Sequence, residues 1–226
     1  NLNQNFLVLA QQLLVLQTVQ ALLGYLDRKA ADPNKWVARN WSRYQAMLHL
    51  VANTGLRMSE VRGLPITSVD LDNRLLKVTQ RADEKGIIGH PKSATSYRTI
   101  KFPQPVGELL RAQIGDRTSG LVFSTRDGRP IGLQNIDNHI WRPMLRDLFG
   151  DDPKAWPAGL GRHALRHFYA SRLIASGATP KEVQVWLGHD DPAFTLRIYG
   201  QLFTESHDRL EAFSDALYAR LLVTDL

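Results

Sequence analysis

The chain has 226 residues, 43% of them hydrophobic, with no cysteine and a formal net charge of +6. Without cysteine there is no disulfide, no thiolate zinc site and no cysteine nucleophile, which suits a reducing cytoplasm. A sequence pI near 9.7 points to a polyanionic partner, nucleic acid first, with an ordinary basic surface as the plain alternative.

A membrane-crossing helix needs roughly 20 consecutive apolar residues. The best run, Phe6 to Ala10, is broken by Gln11 and Gln12. There is no signal-peptide pattern, and the first residue is Asn1 rather than Met, so the expectation is a soluble chain whose upstream region is missing. Residues 1–16, rich in Gln and Leu, read as a linker remnant or a loosely attached helix, and residues 17–205 as one catalytic domain.

In chain order, apolar spacing predicts helices over Val19–Leu26 and Trp36–Ala52, the second with Tyr44, Met47, Leu48 and Val51 on one stripe. Ser59 is placed to cap a short helix ending near Gly63 and Pro65. Residues 71–102 read as strands and turns: Leu75–Thr79, Gly86–His90 and Tyr97–Phe102, with Pro91, Ser93 and Ser96 at the tip between the last two. From Pro105 the helical pattern returns and is expected to persist, interrupted by a loop from Gly150 to Gly161. Thr179-Pro180-Lys181-Glu182 is a capping box with Pro at the first helical position, and Gly188 supplies the stop. Asp191-Pro192 opens a short helix reaching Tyr199 and stopping at Gly200. Residues 206–226, with Leu210, Phe213, Leu217 and Leu221 on one face, form an amphipathic helix that packs on a neighbouring subunit or folds back on its own domain.

Four stretches concentrate basic residues beside structural punctuation. They are Thr54 to Glu60 around Arg57, Pro91-Lys92-Ser93, His163 to His167 around Arg166, and Leu187-Gly188-His189 with Tyr199 ten positions on. Singly, each has a plain reading: a surface arginine, a solvated turn lysine, a helix-end histidine, a half-buried core tyrosine. His163 and Arg166, at i and i+3, share a helix face, opposite Leu165, Phe168, Tyr169 and Leu173. His163 and His167 at i and i+4 also resemble a zinc pair, but the general-base Glu of that motif is replaced by Ala164.

Together the set suits phosphodiester chemistry. Guanidinium groups pair with the non-bridging oxygens of a phosphoryl transition state and keep their charge, taking the role a metal plays elsewhere. A tyrosine hydroxyl can attack phosphorus and leave a covalent phosphotyrosine. Its ordinary pKa is ~10, so nearby positive charge is expected to ease its ionisation. The departing alcohol needs a proton, which a lysine or histidine can supply.

These segments, in their order and spacing from about Val19 to Leu202, resemble the tyrosine recombinases, or phage integrases. The resemblance implies an α+β, mainly helical catalytic fold with a small antiparallel three-stranded sheet. It makes Arg57 and Arg166 phosphate ligands, Glu60 their buttress, and His163 a hydrogen-bonding acid/base. Lys92 would be the acid for the leaving 5′-hydroxyl, with Lys85 as second choice. His189 would be a phosphate contact and Tyr199 the nucleophile.

It further implies a site-specific recombinase of a phage or mobile element, working through a 3′-phosphotyrosine without metal or other cofactor. The partner would be double-stranded DNA, held by a homo-tetramer, with a monomer as the alternative for this chain alone. The setting would be the bacterial cytoplasm, at the nucleoid when DNA is bound. Backbone contacts are expected from Lys85, Arg98, Arg162 and Arg197, and further from Arg62, Arg81 and Lys181, with strong salt dependence. The rivals are a type IB topoisomerase, a non-catalytic DNA-binding regulator of the same fold and, least fitting for want of clustered carboxylates, a metal-dependent nuclease.

Overall fold

The computed structural model describes residues 2–157, 159–161 and 163–203. Arg162 and the C-terminal stripe Leu210, Phe213, Leu217, Leu221 therefore lie outside the described residues. No helix among those described is long and apolar enough to cross a membrane.

Helix α1 (Leu2–Ala30) runs unbroken from the segment expected as a linker into the segment expected as a helix. It folds back on α2 (Lys35–Thr54), whose start is capped by Asn34 accepting from the Trp36 N–H at 3.0 Å. Tyr25 stacks edge-on against Trp41, and Asp27 accepts from Gln45 Nε2 and lies 2.8 Å from His49 Nε2. Tyr25 also donates to Asp147 at 2.6 Å, tying α1 to α6 (Arg142–Phe149).

The predicted stripe on α2 is buried at Met47, Leu48 and Val51, and Ala46, Leu50 and Ala52 are buried too. The reason is position: α2 packs against α1, α4 (Gln104–Ile114) and α7 (Ala164–Ala175) at once, so one apolar face is not enough. At roughly 1.5–3 kcal/mol for each fully buried Leu, Val or Met, this helix is the main anchor of the core.

After α3 (Met58–Arg62) come β1 (Val69–Asp70), β2 (Leu75–Val78), β3 (Arg81–Ala82), β4 (Ile88–Gly89) and β5 (Arg98–Lys101). The antiparallel three-stranded sheet has the order β1-β2-β5, with Leu76 opposite Ile100 and Val78 opposite Arg98. The strand expected at Gly86–His90 is not its middle member. Only Ile88 and Gly89 are extended there, and they pair with β3 in a separate two-stranded ribbon. Ile88 and Gly89 are both exposed, so no buried face pins that segment into the sheet. The third strand is β1, whose two residues are too short to show an alternating pattern.

Helix does not persist after α4. Residues 115–132 are turns and bridges, Pro65 with Leu121 and Ser124 with Pro130, and they bury Leu121, Val122 and Phe123. Gly115, Gly120 and Gly128 all take positive φ, which stops a helix from propagating. Beyond them α5 (Leu133–Ile136) continues through a π turn (Asp137–Trp141) into α6. The wide turn sits just before Pro143, whose missing N–H and ring a regular helix would not absorb.

The capping box forms as expected: Thr179 Oγ1 accepts from the Glu182 N–H at 3.2 Å and Glu182 accepts from the Thr179 N–H at 2.7 Å. Helix α8 (Pro180–Leu187) ends at Gly188 with φ +65°. Helix α9 (Pro192–Phe203) passes through Gly200 rather than stopping there. Besides the main core, a smaller cluster gathers Ala170, Ile174, Val183, Leu187 and Tyr199. Arg166 lies on α7 between Leu165, in the first cluster, and Ala170, in the second.

Candidate active site

Two left-handed glycines organise the site. Gly55 ends α2 with φ +63°, and a Cβ there would come within 2.5 Å of Tyr169 and 2.7 Å of Leu187. Glycine is therefore needed for conformation and for space, and the turn it makes delivers Arg57 to the start of α3. The cap of α3 is Arg57 itself rather than Ser59. The Glu60 carboxylate accepts from the Arg57 N–H at 2.8 Å, which satisfies an otherwise orphaned donor.

Glu60 is only 3% exposed, yet it is charged. Its burial opposes ionisation, but hydrogen bonds and charge from Arg98, then the charge of Arg57, outweigh that and hold the carboxyl below its ordinary range. Arg98 gives it two bonds, at 3.0 and 2.9 Å, and Arg57 one at 3.0 Å. Arg98 is thus corrected from an expected DNA contact to an internal residue: its side chain is 5% exposed. Arg62 is corrected likewise, being buried and donating to the carbonyls of Ile131 and Asp83.

Three arginines end on three successive carbonyls of the α8 terminus. Arg98 donates to Trp186 at 2.8 Å, Arg166 to Leu187 at 2.7 Å and Arg57 to Gly188 at 2.6 Å. These are carbonyls that the helix cannot pair itself, at the negative end of its dipole, so cations are favoured there. Arg166 also donates to Gly55 O at 2.5 Å, joining the two glycine turns. A Cβ on Gly188 would sit 2.8 Å from the Arg98 guanidinium, so a side chain at this turn would displace the cluster. Burial, then the charge of Arg57, lowers the Arg166 pKa to about 9, and the group stays charged at neutral pH.

His189 is buried, with Nδ1 2.8 Å from Thr195 Oγ1. Burial first, then Arg166, Arg57 and Arg98, pushes its pKa down to about 4, so it is neutral at pH 7. A neutral ring that accepts from Thr195 at Nδ1 carries its proton on Nε2.

Tyr199 is 4% exposed and belongs to the smaller core. Its Oη lies 2.7 Å from His167 Nδ1. Burial raises the phenol to about 12, against an opposing but smaller effect of Arg166. The expected easing of ionisation by the basic set is therefore overturned in this conformation, because burial wins. Burial, then the charges of His163 and Arg166, lowers the pKa of His167, leaving a neutral ring able to accept from the phenol. His167 is the site residue that sequence reasoning passed over. Its spacing to His163 suggested only a metal pair, and nothing local signals a partner 32 positions away.

Arg57, Glu60, Arg81, Lys85, Lys92 and His163 line one cleft of about 740 Å³. Of the three arginines on the α8 terminus, Arg57, 28% exposed, is the one that lines it. Lys92 is exposed in the loop after β4, and Lys85 is exposed in the tight turn between β3 and β4. His163 is exposed at the start of α7. Arg166, His189 and Tyr199 are buried and do not line the cleft. Of the remaining basic candidates, Lys181 donates to Gln184 at 2.9 Å and Arg197 is exposed on α9.

The model of the phage integrase family matches residues 13–206. The tyrosine recombinase XerD of Halalkalibacterium halodurans is 31% identical over 186 residues, covering 82% of this chain and 56% of that protein. The tyrosine recombinase XerC of Mycobacterium sp. (strain KMS) is 31% identical over 185 residues, covering 79% of this chain and 54% of the relative. Among solved structures, the Tn1549 transposon integrase in complex with a circular intermediate DNA superposes with a TM-score of 0.66 at 21% identity, over 86% of this chain and 63% of that one. The catalytic domain of bacteriophage HP1 integrase superposes with a TM-score of 0.51 at 18% identity, over 84% of this chain and 88% of that one. The chain spans about half the length of the curated relatives it matches. With the family model spanning most of its length, and with an α+β, mainly helical fold shared with these structures, the chain belongs to the phage integrase family.

Proposed function

We propose that this chain is the catalytic part of a site-specific DNA recombinase, cutting and rejoining strands through a 3′-phosphotyrosine on Tyr199. The observation that carries the reading is the trio of arginines fixed on the end of α8, followed in the next helix by a tyrosine that shares a hydrogen bond with a neutral histidine. Fixed guanidinium groups that need no reorganisation suit a phosphoryl transition state.

In this reading Arg57 and Arg166 hold the non-bridging oxygens of the scissile phosphate, and His189 offers Nε2–H to one of them. Tyr199 Oη attacks phosphorus while its proton passes to His167 Nδ1. The bond from phosphorus to the 5′-oxygen breaks, and that oxygen takes a proton from Lys92. His163, on the wall of the same cleft, hydrogen-bonds the phosphate. Religation runs the steps in reverse. Lys85 and Arg197 contact the DNA backbone, and four copies act on two duplexes.

The test is covalent capture. The chain is mixed with a pool of duplexes that carry a nick next to a randomised segment, so that a cleaved strand diffuses away. A protein–DNA adduct that survives denaturant, and that forms equally well with chelator present, is the expected product. Capture of no strand, or cleavage that chelator stops, overturns the reading.

His167→Ala is expected to slow adduct formation about 10²-fold at pH 7, the size of a general-base contribution. The native rate should fall as pH drops through the lowered His167 pKa, whereas the variant should instead gain rate steadily toward alkaline pH, as hydroxide replaces the ring. A variant with the native pH profile would remove His167 from the proton path.

A further inference from the structure

Asp190 follows His189 directly. Its Oδ1 accepts from Thr95 Oγ1 at 2.5 Å and also from Ser93 Oγ. Ser93 Oγ in turn lies 3.0 Å from both Thr95 Oγ1 and Ser96 Oγ. The loop between β4 and β5, which carries Lys92, is thus fastened by its hydroxyls to the residue beside His189. A carboxylate taking two hydroxyl donors makes charge-assisted bonds, the stronger kind. Those same bonds, Ser93 first and Thr95 second, hold the Asp190 carboxyl below its ordinary range.

The loop has a second fastening at its far end, where Arg98 donates to Glu60 and to Trp186 O. The two ties differ in kind. The Arg98 tie is buried and belongs to the arginine cluster, while Asp190, Ser93 and Thr95 meet near the surface. Between them the backbone makes one tight turn, with Ser96 N–H donating to Ser93 O and Tyr97 N–H to Ala94 O. Lys92 stands one residue outside this fastened turn, exposed and on a long side chain of many rotamers. A proton donor in that situation needs its backbone fixed, since a displacement of 1 Å can cost roughly 10²-fold in rate.

We infer that Asp190 is a positioning residue: it latches the Ser93–Thr95 turn to the His189 turn and so aims Lys92 at the departing 5′-oxygen. The inference rests on the reading of Lys92 as the leaving-group acid. It assigns Asp190 no contact with DNA, and the effect passes through the loop.

The test compares two nicked duplexes of a captured sequence, one with an ordinary scissile phosphodiester and one with sulfur in place of the bridging 5′-oxygen. A thiolate departs without a proton, so the sulfur substrate needs no acid. Asp190→Ala should form adduct roughly 10- to 100-fold more slowly than the native chain on the oxygen substrate. On the sulfur substrate its rate should fall within about threefold of the native rate. Lys92→Ala should show the same rescue, more strongly. If Lys92→Ala is slow on both substrates, the lysine reading fails and the role of Asp190 falls with it. If sulfur rescues Lys92→Ala but not Asp190→Ala, or if Asp190→Ala is not slowed on oxygen, the latch alone is overturned. Amide hydrogen exchange on the unliganded chain tests the tie without any cleavage. Residues 93–97 should exchange at least about tenfold faster in Asp190→Ala, with α8 unchanged, and equal exchange in both chains would sink the proposal.

Discussion

Replacing Tyr199 by Phe is expected to abolish the covalent protein–DNA adduct while leaving fold and DNA binding close to native. The substitution removes one oxygen. The ring keeps its place among Ala170, Ile174, Val183 and Leu187, and only the hydrogen bond to His167 is lost. A single such bond is worth about 0.5–1.5 kcal/mol, and His167, exposed to solvent, can turn to water instead. Loss of the nucleophile is of another order, roughly 10⁴-fold or more in rate, since the oxygen that forms the ester is gone. Denaturing gels of the captured duplex give the adduct, and mobility shift at fixed salt gives the binding. An adduct formed by the Phe variant would put the nucleophile elsewhere. Equal binding with no adduct from the native chain would favour a non-catalytic regulator. Relaxation of supercoiled plasmid without exchange between two sites would favour a type IB topoisomerase.

The same tyrosine marks the boundary of what could be read without coordinates. Elements closed by local chemistry were legible: the glycine stop at Gly188 and the Thr179–Glu182 box are each complete within a few residues. Strand partners were not, because β1, β3 and β4 have two residues each and their pairing is set by what packs around them. Nor does a sequence say which way an arginine points. Arg98 and Lys85 both read as DNA contacts from charge alone. One turned inward because Glu60 and Trp186 O were waiting for it, and the other stayed on an exposed turn. Tyr199 shows the same limit at the level of chemistry. The basic set around it was legible, but the sign of its pKa shift depended on how deeply the ring is buried. In this conformation the phenol is neutral and covered, so the proposed reaction has Tyr199 exchange its apolar pocket for the phosphate.

The placement of the arginines depends on Glu60, and Glu60→Ala should cost more stability than any other single change at the site. Its carboxylate takes two bonds from Arg98, one from the Arg57 side chain and one from the Arg57 N–H. Removing it leaves buried guanidinium charge with no counter-charge, a change that costs about 3–5 kcal/mol when one partner of a buried pair is deleted. Glu60→Gln keeps an acceptor and the shape but not the charge, so its loss should be smaller. The pH dependence has a definite sign. The folded carboxyl titrates below its ordinary value of 4.5, so its ionised form contributes stability that is fully present above that value. The contribution is lost as pH falls through the lower, folded value, and the gap between native and Glu60→Gln chains should close there. Urea unfolding at pH 7 and again between pH 5 and 3 measures both. Pairing Glu60→Leu with Arg98→Met should recover part of the stability, because the uncompensated charge leaves together with its partner. Activity should not recover, since Arg57 then keeps its tie to Gly188 O but has lost the carboxylate that fixes its other edge. A Glu60→Ala chain within about 1 kcal/mol of native would mean that the end of α8 alone suffices to hold the three arginines.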